Sequence, residues 1–416
     1  MRSRPKLTCL LLSLLLLLSG CAAGDAAGSP ARITLPGQRQ AAAPLAPGTK
    51  PSWPPPEPIV PYDYTLCFAG DVSLAGGSAP ASALAARGLE GCFSPELLEA
   101  MAGADVMCLN SEFAFTDRGE PLAGKAYTFR ADPALVSTYQ EMGVDLAVLA
   151  NNHVFDFGEA GLQDTLDTFR AAGLPYVGAG ENLDEASAVW YAELEGCTVA
   201  YVAGSRVEWA AQTRGAAEER SGVFRTAESN ELICQRIAEA RQNADFVVVY
   251  EHWGMEGTVA LEEYQTTSGR AFIDAGADLV VGDHPHVLQG IEWYSGKPIF
   301  YSMGNYWFSS SPRYTMLLQA ELAKDQAGET STVFRLVPAW TEGGRVTAIT
   351  DPVEVARKHM LDCAALLGAA DFTGKKVIDV GTGAGFPGMV LKVVEPTIQL
   401  TLLDSLNKRL IFLREV

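Results

Sequence analysis

The sequence predicts a layered α/β domain over residues 62–344, followed by a shorter strand, glycine turn, helix and strand at 345–416. Three observations lead there. Apolar runs of strand length alternate with stretches of helical periodicity, the pattern of sheets covered by helices. Several of those strands stop at polar or charged residues, which a buried strand does not need. Hydrophobic residues make up 48% of the 416 positions and charged residues 19%, a globular balance that excludes wholesale disorder. The formal net charge of −19 gives the chain no overall attraction to nucleic acid. Eight cysteines include no C-x-x-C pair, which argues against a zinc ribbon or a thioredoxin-type site.

In chain order, Arg2, Arg4 and Lys6 precede a twelve-residue apolar run, Leu7–Leu18, too short to span a membrane. It ends in Leu18-Ser19-Gly20-Cys21, which resembles a bacterial lipoprotein signal with Cys21 as the lipidated residue. The competing reading is an ordinary secretory signal with a chance cysteine. Residues 1–21 are thus expected to be a signal, and the protein an extracytoplasmic lipoprotein whose first partner is the membrane. Residues 22–61 carry ten prolines among Ala and Gly and read as an extended tether.

Within 62–344, strands are expected at Tyr64–Gly70, Asp105–Asn110, Leu146–Ala150, Thr198–Gly204, Phe246–Tyr250, Leu279–Val281 and Pro298–Met303. Helices are expected at Pro95–Ala102, Ala134–Met142, Glu159–Ala172, Asn230–Asn243 and Glu262–Ala275. The strands end in Asp71, in Asn110-Ser111-Glu112, in Asn151-Asn152-His153 with Asp156 beyond, in Glu251-His252, in Asp283-His284-Pro285-His286, and in Gly304-Asn305. Four of the five histidines of the chain fall in this set. Carboxylate, amide oxygen and imidazole gathered at one sheet edge form the donor set of a transition-metal site, with Mn, Fe, Zn or Ni all compatible. Two ions sharing one carboxylate would activate a water and bind a phosphoryl oxygen. A single histidine of this kind would more readily be read as structural. Trp253, Trp293, Tyr306 and Trp307 fit a substrate groove or the core equally well. Lys125 and Arg130 fit an anion contact or a solvated surface. Cys67, Cys108 and Cys197 read as buried apolar residues.

The segments FAGDVSLAGG, NSEFAF, VLANNHVFDFGEAGL, YEHWGME and GDHPHVLQGIEWYSGKPIFYSMGNYWF resemble the bacterial capsule-synthesis (CapA-type) proteins associated with poly-γ-glutamate, a branch of the calcineurin-like metallophosphoesterases. The resemblance implies a four-layer α/β/β/α sandwich with metals at the strand ends. It implies Asp71, Glu112, Asn152, His252, His284 and His286 as metal ligands, with Glu112 bridging or binding, and His153 with Asp156 as catalytic residues. One or two ions of Mn, Fe or Zn, an anionic polymer or phosphoester substrate, and capsule synthase subunits as partners follow from it. The chain departs from the wider superfamily at Ser73, where an Asp-x-His motif would have histidine, and at Asn110 and Glu112, where the superfamily is aspartate-rich. Two functions compete for this domain: a metal-dependent phosphatase-like hydrolase, and a non-catalytic assembly factor holding polymer or synthase in the same cleft.

From Arg345 the charge balance changes to nine basic and eight acidic residues. RVTAITDPVEVARKHMLDCAALL, VIDVGTGAGFPGMVLKVVEP and LTLLDSLNKRLIFLREV resemble the small-subunit rRNA methyltransferase G (GidB-type) family, an S-adenosylmethionine-dependent guanine-N7 methyltransferase. A glycine turn between strand and helix, with an acid about 20 residues on, suits a nucleoside cofactor. Gly381, Phe386 and Asp404 are the matching cofactor positions. The segment covers an inner slice of that family's domain, so an incomplete Rossmann-like fragment is expected, joined near Gly344 to a capsule-type reading frame. S-adenosylmethionine is expected to bind only if the fragment were completed. Nucleic acid is not an expected partner of the main domain.

Overall fold

A computed structural model describes residues 63–207, 213–324, 330–349, 372–380, 391–392 and 397–403. The expected strands and helices form two stacked sheets. The first runs, edge to edge, through Arg345–Ala348, Thr330–Glu342, Arg313–Lys324, Tyr64–Val72, Val106–Ser111, Leu146–Val148 and Tyr176–Val177. Asn305–Trp307 lies parallel to the end of Tyr64–Val72. The second sheet runs through Ile291–Tyr294, Lys297–Phe300, Leu279–Asp283, Phe246–Trp253, Cys197–Arg206 and Trp190–Leu194.

Strand alternation divides the apolar residues into three cores. Leu66, Phe68, Cys108 and Val148 of the first sheet meet Tyr201, Val248, Tyr250 and Val281 of the second. The opposite face of the first sheet, through Cys67, Leu109 and Ala147, packs on Leu97, Met101, Leu162, Leu166 and Phe169 of helices Pro95–Ala102 and Gly158–Ala172. The outer face of the second sheet, through Val247, Val249 and Val280, packs on Ile233, Ile237, Phe272 and Ile273 of helices Glu231–Asn243 and Glu263–Ala275. The result is the expected α/β/β/α sandwich. Each large side chain buried this way contributes about 1.5–3 kcal/mol. Helix Gly158–Ala172 shows the local logic: Leu162, Leu166 and Phe169 share one buried face, and Gly173 ends it in the left-handed conformation.

The central strands run parallel, so their carboxyl ends share one edge. Asp71 pairs with Asn110 and Val72 with Ser111 across one ladder, and His252 with Asp283 across another. The first strand turns toward that edge at a bulge around Gly70. A Cβ on Gly70 would lie 2.0 Å from the Gly304 carbonyl, which accepts the Asp71 N–H at 3.0 Å. Only glycine permits that approach.

Several expectations are revised. The Pro298–Met303 strand ends at Phe300, and pairing resumes at Asn305. The Ala134–Met142 helix opens as a 3₁₀ turn at Pro133–Leu135 and is α-helical over Val136–Glu141. The change of composition at Arg345 does not mark the end of the sandwich. Arg345–Ala348 is the edge strand of the first sheet, with Val346 fully buried and its N–H and carbonyl bonded to Cys92 and Ser94. Further on, Lys376–Val380 and Gln399–Leu403 form the expected parallel pair. The five described cysteines, Cys67, Cys108 and Cys197 among them, are free thiols. No described helix is long and apolar enough to cross a membrane. Cys21, Gly381, Phe386 and Asp404 lie outside the described residues.

Candidate metal centre

The six expected ligands meet at the shared edge. Asp71, Glu112 and His252 are fully buried, and Asn152 and His284 nearly so. Glu112 Oε1 is buried without a hydrogen-bond partner. Around it stand His252 Nε2 at 3.6 Å, His286 Nε2 at 3.9 Å and His153 Nε2 at 3.9 Å. Asp71, Glu112 and His252 place ligand atoms within 4.8 Å of one another, and so do Glu112, His284 and His286. Glu112 is common to both groups.

A second set of residues orients the first. Asp283 Oδ1 lies 2.6 Å from His252 Nδ1. With Asp283 accepting that proton, His252 Nε2 presents its lone pair toward Asn152 Oδ1 at 2.8 Å, so two acceptors face each other. Asn110 Nδ2 donates to Asp71 Oδ1 at 3.0 Å and to Glu112 Oε2 at 3.3 Å. Asn151 Nδ2 donates to Asn110 Oδ1 at 3.0 Å, while its own Oδ1 accepts the N–H groups of His153 and Val154. His286 Nδ1 lies 2.9 Å from Asp71 Oδ2 and 2.8 Å from Asn305 Oδ1. His284 and His286 hold φ of 90° and 58°, in a region non-glycine residues seldom occupy. Such strain is sustained where surrounding structure fixes the backbone for a purpose.

The electrostatics are those of a cation site. Burial pushes Glu112 well above the usual carboxylate range, and the charges of Asp71 and Asp283 push it further. Asp283 is raised in the same way, by burial and then by Asp71. Burial drives His252 and His284 well below the usual imidazole range, which leaves them neutral and competent as ligands. Burial opposes charge on the Asp71–His286 pair too. Their mutual hydrogen bond and charge attraction, with the hydrogen bonds from Asn110 and Asn305, together outweigh it, lowering Asp71 and raising His286. Crowded carboxylates, neutral imidazoles and an orphaned oxygen at their focus all fit a bound divalent ion.

His153 and Asp156 stand beside this cluster. His153 Nδ1 is 2.7 Å from Asp156 Oδ2, which also accepts the Phe129 N–H at 2.6 Å. Lys125 is not the solvated residue that its place in the sequence allowed. Its side chain is 4% exposed and its ammonium bonds Asp156 Oδ1 and the Asn152 carbonyl. The Phe129 ring lies on His153, centroids 4.3 Å apart, and Phe308 lies 4.8 Å from His286. Arg130 is exposed, its guanidinium over the Phe157 ring, and lines a cavity of about 710 Å³ that also reaches Phe129. Trp253, Tyr306 and Trp307 are core residues, and Trp293 is exposed. Ser73 supplies nothing to the cluster: its Oγ accepts the Ala75 N–H at 3.4 Å. Sequence reasoning placed Asn110, Asn151, Asp283 and Asn305 at strand ends but gave them no role. For Asn110, Asn151 and Asp283 the signal was adjacency to the ligands in the chain, whereas Asn305 comes from a distant strand end.

The family model described as bacterial capsule synthesis protein PGA_cap matches residues 65–310, and that described as rRNA small subunit methyltransferase G matches residues 329–416. The PGA biosynthesis protein CapA of Bacillus subtilis (strain 168) is 35% identical over 210 residues, covering 50% of this chain and 54% of its own length. The ribosomal RNA small subunit methyltransferase G of Symbiobacterium thermophilum is 57% identical over 82 residues, covering 20% of this chain and 33% of its own. The chain therefore spans about half the length of the first relative and a third of the second. Among solved structures, a phosphatase from Mycoplasma pneumoniae aligns over 67% of this chain and 94% of its own, at 14% identity and a TM-score of 0.41.

Proposed function

The chain belongs to the bacterial capsule synthesis protein (PGA_cap) family, and from that premise we propose that it is a metal-dependent phosphoester hydrolase of capsule or poly-γ-glutamate synthesis. In this reading it works outside the cytoplasm, held at the membrane by lipid on Cys21, beside capsule synthase subunits. One observation carries the metal dependence: the buried, unpartnered Glu112 Oε1 facing three imidazoles. A buried charged group without a partner is costly, and a cation offsets that cost.

Asp71, Glu112, Asn152, His252, His284 and His286 would hold one or two ions, with Mn, Fe or Zn suited to this nitrogen and oxygen set. A bound ion would supply Lewis-acid polarisation of a phosphoryl oxygen and lower the pKa of a water. The remaining work falls to the chain. Asp283 and Asn110 orient the ligands. Asp156 accepts the Nδ1 proton of His153 and so aims Nε2 at the cluster; with a second proton on Nε2, the imidazolium would give that proton to a leaving oxygen and return to the neutral ring held by Asp156. Lys125 and the Phe129 N–H fix Asp156 from behind.

The test is elemental analysis and a phosphoester panel on the purified protein. Wild type is expected to hold Mn, Fe or Zn, and His284→Ala with His286→Ala to lose it. Unchanged metal content in the double variant would reject the site. A second reading, a non-catalytic factor that binds polymer or synthase, is favoured by Ser73, which adds no imidazole. Metal-loaded protein that binds a glutamate polymer yet turns over no phosphoester would select it.

A further inference from the structure

Most arginines beside the described carboxylates are neutralised. Arg118 pairs with Asp164, Arg170 with Glu181 and Glu185, Arg241 with Asp278, and Arg270 with Glu292. Arg313 is different. It begins the Arg313–Lys324 strand, is only partly exposed, and has no carboxylate within ion-pair distance among the described residues. Its Nη1 donates to the carbonyl of His286 at 3.1 Å. Its Nε is buried without any partner. Three hydroxyls nearby in chain or register share that condition: Ser309 Oγ, Thr315 Oγ1 on the same strand face, and Thr341 Oγ1 on the residue paired directly across from Arg313. Thr315 and Thr341 are 2% and 0% exposed.

Buried donors left unmade cost about 1–3 kcal/mol each, so several at one place mark a position for something that accepts from them. A guanidinium without a counter-charge, in so acidic a chain, selects an anion, and its fork matches two oxygens of a phosphate or carboxylate. The carbonyl that fixes Arg313 belongs to a residue of the metal cluster. We infer that Arg313 anchors an oxyanion group of the substrate beside the metal centre, in the hydrolase reading above. Arg313 then sets the preference for anionic substrates without touching the metal.

The test titrates the full chain, with and without saturating Mn, with inorganic phosphate and separately with glutarate, reading heat and metal content. Arg313→Gln is expected to weaken at least one anion about tenfold or more. It should keep wild-type metal content and near-ultraviolet dichroism. Arg313→Lys should recover part of the affinity, because it restores charge but not the fork. Phosphate weakening alone assigns a phosphoryl group, and glutarate weakening alone a carboxylate. Wild-type affinity for both anions in Arg313→Gln overturns the inference. So does wild type that binds neither, or parallel loss of metal and anion, which would make Arg313 only a prop for His286. If wild type holds no metal, the hydrolase reading fails by itself, while the metal-free titrations still decide Arg313.

Discussion

At the scale of residues, the centre combines ligands with groups that aim them. Asp71, Glu112, His252, His284 and His286 were legible in the sequence because buried strands seldom end in such side chains without use. The aiming groups were not. Lys125 comes from a loop with no regular structure and reaches Asp156 across 31 positions. Asn110 looks like any strand-end amide until its two carboxylate contacts are seen. Glu112 should trade stability for binding. Glu112→Gln removes a carboxylate crowded by Asp71 and Asp283. Metal content is expected to fall by more than half. The melting temperature of the metal-free protein should rise by about 2–4 °C for each kcal/mol of repulsion relieved. Elemental analysis with calorimetry on the metal-free samples checks both signs.

At the scale of elements, the parallel strands were readable because a short apolar run that stops at a polar residue suits a buried strand and little else. The long hairpin of Arg313–Lys324 and Thr330–Glu342 was not, since its outer strand keeps polar and half-buried residues along most of its length. Helix Ala79–Arg87 escaped too, because its small residues give little periodic contrast. The Gly70 bulge is the joint on which Asp71 depends. Gly70→Ala must move the Gly304 turn, and a loss above about 2 kcal/mol is expected, with lower metal content. Denaturant melts and elemental analysis check it. Away from the site, Asp245 accepts from Thr198 N–H at 2.9 Å and from Lys324 Nζ at 2.8 Å, tying the two sheets at their far end. Burial raises its pKa, but the Lys324 and Thr198 hydrogen bonds win and lower it. Its contribution is therefore present above the unfolded value near 3.9 and is lost as pH falls through the lower folded value. Asp245→Asn should cost about 0.5–1 kcal/mol at pH 7 and converge with wild type below about pH 3. Urea melts across that range check it.

At the scale of the whole molecule, two family matches meet within one sheet. The methyltransferase match begins at residue 329, yet Thr330–Glu342 and Arg345–Ala348 are hydrogen-bonded strands of the capsule-type sandwich. Charge balance and motif resemblance both marked the change at Arg345, whereas strand pairing runs on past it to Ala348. A chain ending at Gly344 loses the buried Val346 and exposes the edge that Arg345–Ala348 covers. It is expected to aggregate or melt lower than one ending at Ile349, as static light scattering and thermal melts would show. The core also gives the protein a signal of its own. Trp253 and Trp307 are fully buried, one residue from His252 and two from Asn305, whereas Trp293 faces solvent. Their emission lies within quenching range of whatever occupies the cluster. Paramagnetic manganese or iron would dim the blue-shifted component, and closed-shell zinc would leave it bright, so fluorescence of metal-loaded protein would separate zinc from the two paramagnetic candidates.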